Sequence, residues 1–195
     1  MTLRQLLSPQ ARAALFDPPT EVRAIVRHYT FSIEDVALIR QRRRNANRLG
    51  FAVHLAYLRF PGRVLGPNET PPAHLLAFIA DQLRINPKSF ENYAQRDETR
   101  REHLAELQAY LGMRSFGRED YRIMARIAFY ESIGTDRGDA IVGTMVVHLR
   151  HHSILLPSAA VLEKIALAAR ARARKQAYKA LTAGDCKLQW RRDSF

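Results

Sequence analysis

Five arginines open the stretch of sequence richest in potential chemistry. Arg40, Arg42, Arg43, Arg44 and Arg48 lead into an apolar segment that runs to Phe60. At the amino end of a helix the macrodipole already carries partial positive charge, so cations crowded there call for an anion, most plausibly phosphate. The alternative is that Arg40 to Arg44 finish the preceding helix and face solvent, since cations suit a carboxyl end. A second group, Arg96, Thr99, Arg100, Arg101 and His103, crowds the start of a later helical segment. A third, Arg170, Arg172, Arg174, Lys175 and Lys179, includes no acid, and such a single-sign stripe is the pattern of a nucleic-acid face.

Other constellations read as structural. His148, His151 and His152 are spaced so that two imidazoles share a helix face, as metal ligands require, but Arg150 lies among them and no acid supports them. The pairs Glu119/Asp120 and Asp136/Asp139 could hold Mg²⁺ or act as acid and base. Both pairs fall at predicted helix starts, where carboxylates cap the backbone and complement the dipole. No Gly-rich phosphate loop, GxSxG or Cys/His pairing occurs. The sequence therefore predicts no catalytic residue, no metal site and no cofactor.

The elements that position these groups are helices. From Leu49 onward Phe51, Val53, Leu55, Tyr57, Leu58 and Phe60 cover nearly every direction around a helical axis, which predicts a buried central helix from Asn45 to Phe60, stopped by Pro61-Gly62. Before it come predicted helices at Pro9 to Leu15, at Glu21 to Tyr29 capped by Thr20, and one opened by Ser32 and Asp35. After it come a helix begun by Pro71-Pro72 and ending near Arg84, a short one from Lys88 to Ala94, and one from Glu98 to Leu111 closed by Gly112. Ser115-Phe116-Gly117 reads as a hinge. Helices then follow at Arg118 to Ile133, Arg137 to His151, and from Pro157-Ser158 to Leu181. No strand alternation or hairpin turn is present, so the fold class is all-α. The expected organisation is two compact helical units, 1–113 and 114–183, each with a helix-turn-helix-like element, followed by an atypical tail, 184–195.

Composition narrows the partners. The 195 residues hold 31 Lys+Arg against 19 Asp+Glu, a net charge of +12 that favours a polyanion, nucleic acid first and a membrane surface second. No apolar run approaches the roughly 20 residues that span a bilayer. The amino end lacks the pattern of a secretory signal, and the lone Cys186 rules out an internal disulfide, so a reducing cytoplasm is the expected compartment.

Three blocks carry a family resemblance: RRRNANRLGFAVHLAYLRFPGRVL, RREHLAELQAYLGMRSFG and ILLPSAAVLEKIALAARARARKQAYKAL. In order and without large gaps, residues 1 to 183 resemble the amino-terminal region of the replicative transposases of class II transposons, the Tn-three family. Arg42, Asn47, Arg48, Leu49, Gly50 and Phe51, then Tyr57 to Gly62, match the first block. Arg100, Arg101, His103, Leu111 and Gly112 match the second, and Leu156, Pro157, Glu163 and the following arginines match the third. The resemblance implies binding of double-stranded DNA at transposon terminal inverted repeats, as the non-catalytic part of a longer transposase found with the bacterial nucleoid. It places catalysis in a later RNase H-like domain whose Asp-Asp-Glu set holds Mg²⁺. Residues 184–195 depart from the family pattern. The residues expected to meet DNA are Arg42, Arg43, Arg44, Asn47, Arg48, Arg96, Thr99, Arg100, Arg101, His103, Arg170, Arg174 and Lys175. The rival reading is a helical protein-interaction or regulatory fragment with a basic face. An autonomous nuclease and an RNA binder are weaker, lacking a metal site and a strand-borne aromatic platform respectively.

Overall fold

Every residue from Leu49 to Leu58 is buried in the computed structural model of the chain, which describes residues 6–93 and 97–192. They belong to α4 (Asn45–Arg59), preceded by α1 (Pro9–Phe16), α2 (Val22–Tyr29) and α3 (Ile33–Arg40). After α4 come α5 (Ala73–Leu83), a 3₁₀ turn (Pro87–Asn92), α6 (Asp97–Leu111), α7 (Arg118–Gly134), α8 (Gly138–His151) and α9 (Ala159–Arg192). Among the described residues there is no strand, only an isolated bridge between Arg114 and Ile154. The fold is all-α.

The chain divides into two units. One comprises Arg12–Ser115 and Leu149–Leu156, the other Met1–Ala11, Phe116–His148 and Pro157–Phe195. In the first, α4 is surrounded by α2, α3, α5, α6 and the 3₁₀ turn, the arrangement that a helix apolar on all sides demands. Tyr29, Ile39, Leu75, Ile79 and Leu107 close around Phe51, Val53, Leu55 and Leu58. Gly50 has a specific reason to be glycine. A Cβ built there would stand 2.1 Å from the Tyr93 ring, so the tyrosine lies flat against the α4 backbone. At the far end, Gly62 with φ +97° lets its N–H, and that of Arg63, return to the Tyr57 carbonyl and close the helix.

Polar ties hold the surrounding helices to α4. Asp35, fully buried at the start of α3, accepts both Arg59 nitrogens at 2.7 and 2.6 Å, the Ser32 N–H at 2.8 Å and the Tyr110 hydroxyl at 2.9 Å. Burial alone would raise its carboxyl, but these hydrogen bonds outweigh it and hold the pKa below the ordinary value. The segment Leu149–Leu156 completes this unit. Its Leu156 N–H donates to the Gly62 carbonyl at 2.9 Å, and Arg150 donates to the carbonyls of Pro61 and Leu15 at 2.8 and 2.7 Å.

In the other unit α7 packs along α9, with Met124 and Ala128 of α7 and Leu162, Ile165, Ala166 and Ala169 of α9 all buried. Asp120 caps α7 by accepting the Gly117 N–H at 2.8 Å, and Glu163 accepts the Leu6 N–H at 3.3 Å.

Three local expectations change. Thr20 does not cap α2, which starts at Val22 with Glu21 at the cap position and no side-chain cap bond. The segment after Asn86 is 3₁₀ and ends at Asn92: the Asn86 side-chain Oδ1 accepts the Lys88 N–H and caps a six-residue turn too short for an α-helix to propagate. The last helix continues past Leu181 to Arg192, since the single Gly184 costs only about 1 kcal/mol in a helix interior.

Truncating Leu55 to alanine should destabilise the first unit by about 2–5 kcal/mol, read as a lowered denaturation midpoint. Gly50→Ala, which would raise intrinsic helix propensity, should instead destabilise, because the Tyr93 ring must leave its seat. An unchanged or higher midpoint for Gly50→Ala would show that the tyrosine does not lie there.

Candidate nucleic-acid interface

The arginine block at the start of α4 is divided by its surroundings into two kinds of side chain. Arg42 is structural: it grips Glu106 of α6 with two hydrogen bonds at 2.7 and 3.0 Å, and its guanidinium lies over the Phe51 ring at 4.9 Å. Arg48 is turned back as well, its Nε donating to the Arg42 carbonyl at 2.9 Å. Arg43 and Arg44, by contrast, are exposed. Arg44 takes φ +64° at the amino cap of α4, where no side chain caps the helix and no acid occupies the first turn. Uncapped amides and two outward guanidinium groups therefore meet at one helix start, the combination that receives an anion. Asn47 is half-buried in that first turn.

On α6 the expected residues separate by helix face. His103 points inward with only 5% exposure, because it lies one turn from the fully buried Leu107 and shares its face. Its Nδ1 meets the Tyr93 hydroxyl at 3.1 Å and its ring packs edge-on against Phe51 at 5.1 Å, so it is core, not surface. Thr99 and Arg100 are half-buried, and Arg100 donates to the Leu65 carbonyl. Arg101 faces outward. Arg96 lies outside the described residues.

The α9 stripe carries a counter-ion that neighbouring sequence does not reveal. Asp136, just beyond α7, stands 2.9 Å from Arg174 and 3.6 Å from Arg170, and the hydrogen bond from Arg174 leads the causes that depress its pKa. Arg172 lies over the Phe129 ring at 5.1 Å. Lys175 and Lys179 remain exposed. The other carboxylates are similarly engaged: Asp139 with Arg137 at 2.7 Å and Glu119 with Arg122 at 3.1 Å. Among the described residues no group of three or more His, Cys, Asp or Glu side chains could hold a metal ion, and no helix is long and apolar enough to cross a membrane.

One polar feature escaped the sequence reading. His54 sits in the middle of α4, 1% exposed, with no hydrogen-bond partner for its Nδ1. Burial, with the fields of Arg100 and His103, lowers its pKa from 6.5 to about 3. The signal was a lone histidine inside an otherwise apolar helix.

The site is thus all-helical, with outward arginines at the uncapped start of α4. The family model described as "Domain of unknown function (DUF4158)" matches residues 6–169, and the chain belongs to that family. It is 42% identical over 181 residues to the transposase for transposon Tn21 of Escherichia coli, and 39% over 181 residues to the transposase for transposon Tn501 of Pseudomonas aeruginosa. It is 32% identical over 181 residues to the transposase for transposon Tn1546 of Enterococcus faecium. These matches take in 93%, 93% and 92% of this chain and 18% of the length of each relative. The chain is thus homologous to the amino-terminal part of Tn-three family transposases.

The buried histidines set a pH dependence. Above about pH 6.5 His54 is neutral whether the chain is folded or not. Between about 6.5 and 3 the unfolded chain takes up a proton that the folded chain refuses, so stability falls as pH falls. The loss should approach about 1.4 kcal/mol per pH unit for this histidine, and His103, also lowered chiefly by burial, acts in the same direction. Denaturant midpoints at pH 7 and pH 5 measure it, and a His54→Gln variant that still folds should show a shallower dependence.

Proposed function

We propose that the chain binds double-stranded DNA at the terminal inverted repeats of a transposon, as a non-catalytic part of a transposase. The observation that carries this reading is the start of α4, where Arg43 and Arg44 face outward beside uncapped helix amides, in a chain of net charge +12 whose relatives are named transposases. Those cations and amides suit phosphates, which fix register, while Arg101 on α6 is the exposed cation best suited to read a base edge if α6 enters the major groove as a recognition helix. Lys175 on α9 offers a further phosphate contact from the other unit. Arg42, Arg48 and His103 serve the interface indirectly, by holding the α3–α4 turn and the core behind α6.

The second reading, a helical protein-interaction fragment, draws on the apolar side chains that α2 and α3 leave in solvent: Val22, Val26 and Ile33 are 74%, 48% and 85% exposed. Fluorescence anisotropy with an inverted-repeat duplex and a scrambled duplex separates the two, since only the DNA reader prefers the repeat.

Binding should weaken steeply with salt, log K falling by about 0.9 per phosphate contact for each unit of log salt. The double variant Arg43→Ala/Arg44→Ala should weaken repeat and scrambled duplexes by a similar factor and make that slope shallower by about two units. Arg101→Ala should cost about 1–3 kcal/mol on the repeat and much less on scrambled DNA. Equal losses on both duplexes would remove α6 as the reader.

A further inference from the structure

Helix α9 turns two sets of cations in two directions. Its buried seam, packed along α7, runs through Leu162, Ile165, Ala166, Ala169 and Ala173. At about 100° per residue, Lys164, Ala168, Ala171, Lys175, Lys179 and Thr182 fall within an arc of ~80° on nearly the opposite side. All six are exposed. The arginines of the same helix are held by protein groups: Arg170 and Arg174 stand 3.6 and 2.9 Å from Asp136, and Arg172 lies over the Phe129 ring. Lys164, Lys175 and Lys179 have no hydrogen bond or ion pair among the described residues. The one acid between Ala159 and Thr182 is Glu163, which is buried and holds the Leu6 N–H.

A solvated helix face ordinarily mixes signs, because like charges one turn apart, such as Lys175 and Lys179, are destabilising. Three unpaired lysines with no outward acid among them call for a polyanion, and the face between them narrows which one. Ala168, Ala171 and Thr182 stand there, without a large apolar side chain to sink into a bilayer or to anchor a protein interface. Tyr178, 69% exposed at the edge of the arc, adds a hydroxyl donor. Such small side chains let a rigid backbone approach the helix closely. Lysine ammonium groups are point charges on flexible stems, which suit phosphates without demanding one orientation. From Lys164 to Lys179 the face is about 22 Å long, over which one strand of B-DNA carries about six phosphates at ~3.4 Å each. We infer that the outward face of α9 lies along the sugar-phosphate backbone of double-stranded DNA as a sequence-independent seat. Lys164, Lys175 and Lys179 take phosphates, and Ala168 and Ala171 set the approach. The inference rests on the DNA-binding reading, but not on recognition of a particular repeat.

Acetylation of the intact chain with an N-hydroxysuccinimide ester, read residue by residue by mass spectrometry, tests the seat directly. With a scrambled duplex bound, Lys164, Lys175 and Lys179 should be acetylated several-fold more slowly, while the exposed Lys88 keeps its rate. The triple variant Lys164→Gln/Lys175→Gln/Lys179→Gln should make the slope of log K against log salt shallower by about 2.7 units, at ~0.9 per contact. That change should be the same on repeat and scrambled duplexes. Arg23→Gln/Arg27→Gln/Lys88→Gln removes the same charge from other exposed positions and should shift the slope by less than half as much. Equal acetylation of the three lysines with and without bound duplex, or equal slope changes in the two triple variants, would overturn the inference. So would protection by phosphatidylserine vesicles but not by duplex. A wild-type chain that binds both duplexes equally, with the three lysines protected, would sink repeat recognition and leave the α9 seat standing. A preference for the repeat with those lysines unprotected would do the reverse, and no binding of any duplex would overturn both.

Discussion

The unit built from Arg12–Ser115 and Leu149–Leu156 depends on one constraint: α4 has no solvent face from Leu49 to Leu58. A helix buried all round cannot stand alone in water, because each large apolar side chain left exposed forfeits roughly 1.5–3 kcal/mol of transfer free energy. Its neighbours are therefore obliged to surround it, and α2, α3, α5, α6 and the 3₁₀ turn do so. The same constraint drives charge to the two ends. Arg42, Arg43, Arg44 and Arg48 gather at the amino end, and Arg59 and Arg63 leave at the other.

Arginine is used in this unit chiefly as mortar. Arg42, Arg59, Arg63 and Arg150 each join a hydrogen-bonding fork to more than one acceptor, and three of them also lie over an aromatic ring: Arg42 over Phe51, Arg63 over Tyr57 and Arg150 over Phe60. A planar guanidinium can bond in its plane and stack on its face at the same time, which an ammonium cannot. The count of 31 Lys+Arg consequently overstates how many cations are free to meet a polyanion. The cations that face outward around α4 and α6 are fewer, Arg43, Arg44 and Arg101 foremost, and they sit beside fixed arginines that hold their backbone in place.

His54 shows the reverse economy. A neutral imidazole in the middle of an apolar helix contributes little as packing that leucine would not, and its unpartnered Nδ1 carries a desolvation cost of about 1–3 kcal/mol.

Helix positions were legible in the sequence, because they are written in local signals. Ser32 and Asp35 form the reciprocal cap their spacing predicts, Pro61-Gly62 stops α4, and the all-round apolar character of Leu49 to Leu58 announced burial. The family was legible too, through the arginine and NRLGF block and the two blocks that follow. The role of each charged side chain was not, since it depends on partners distant in the chain. Arg42 meets Glu106, 64 positions away, and Arg174 meets Asp136, 38 positions away. His103 reads as polar by composition, yet its place one turn before Leu107 turns it into the core. Gly50 reads as a flaw in a helix until Tyr93 is found lying on it. Local periodicity determines which residues form helices and which face is apolar. Only the packing of those helices decides which arginines are spent on carboxylates and carbonyls and which are left facing outward, because an ion pair is selected by distance in space.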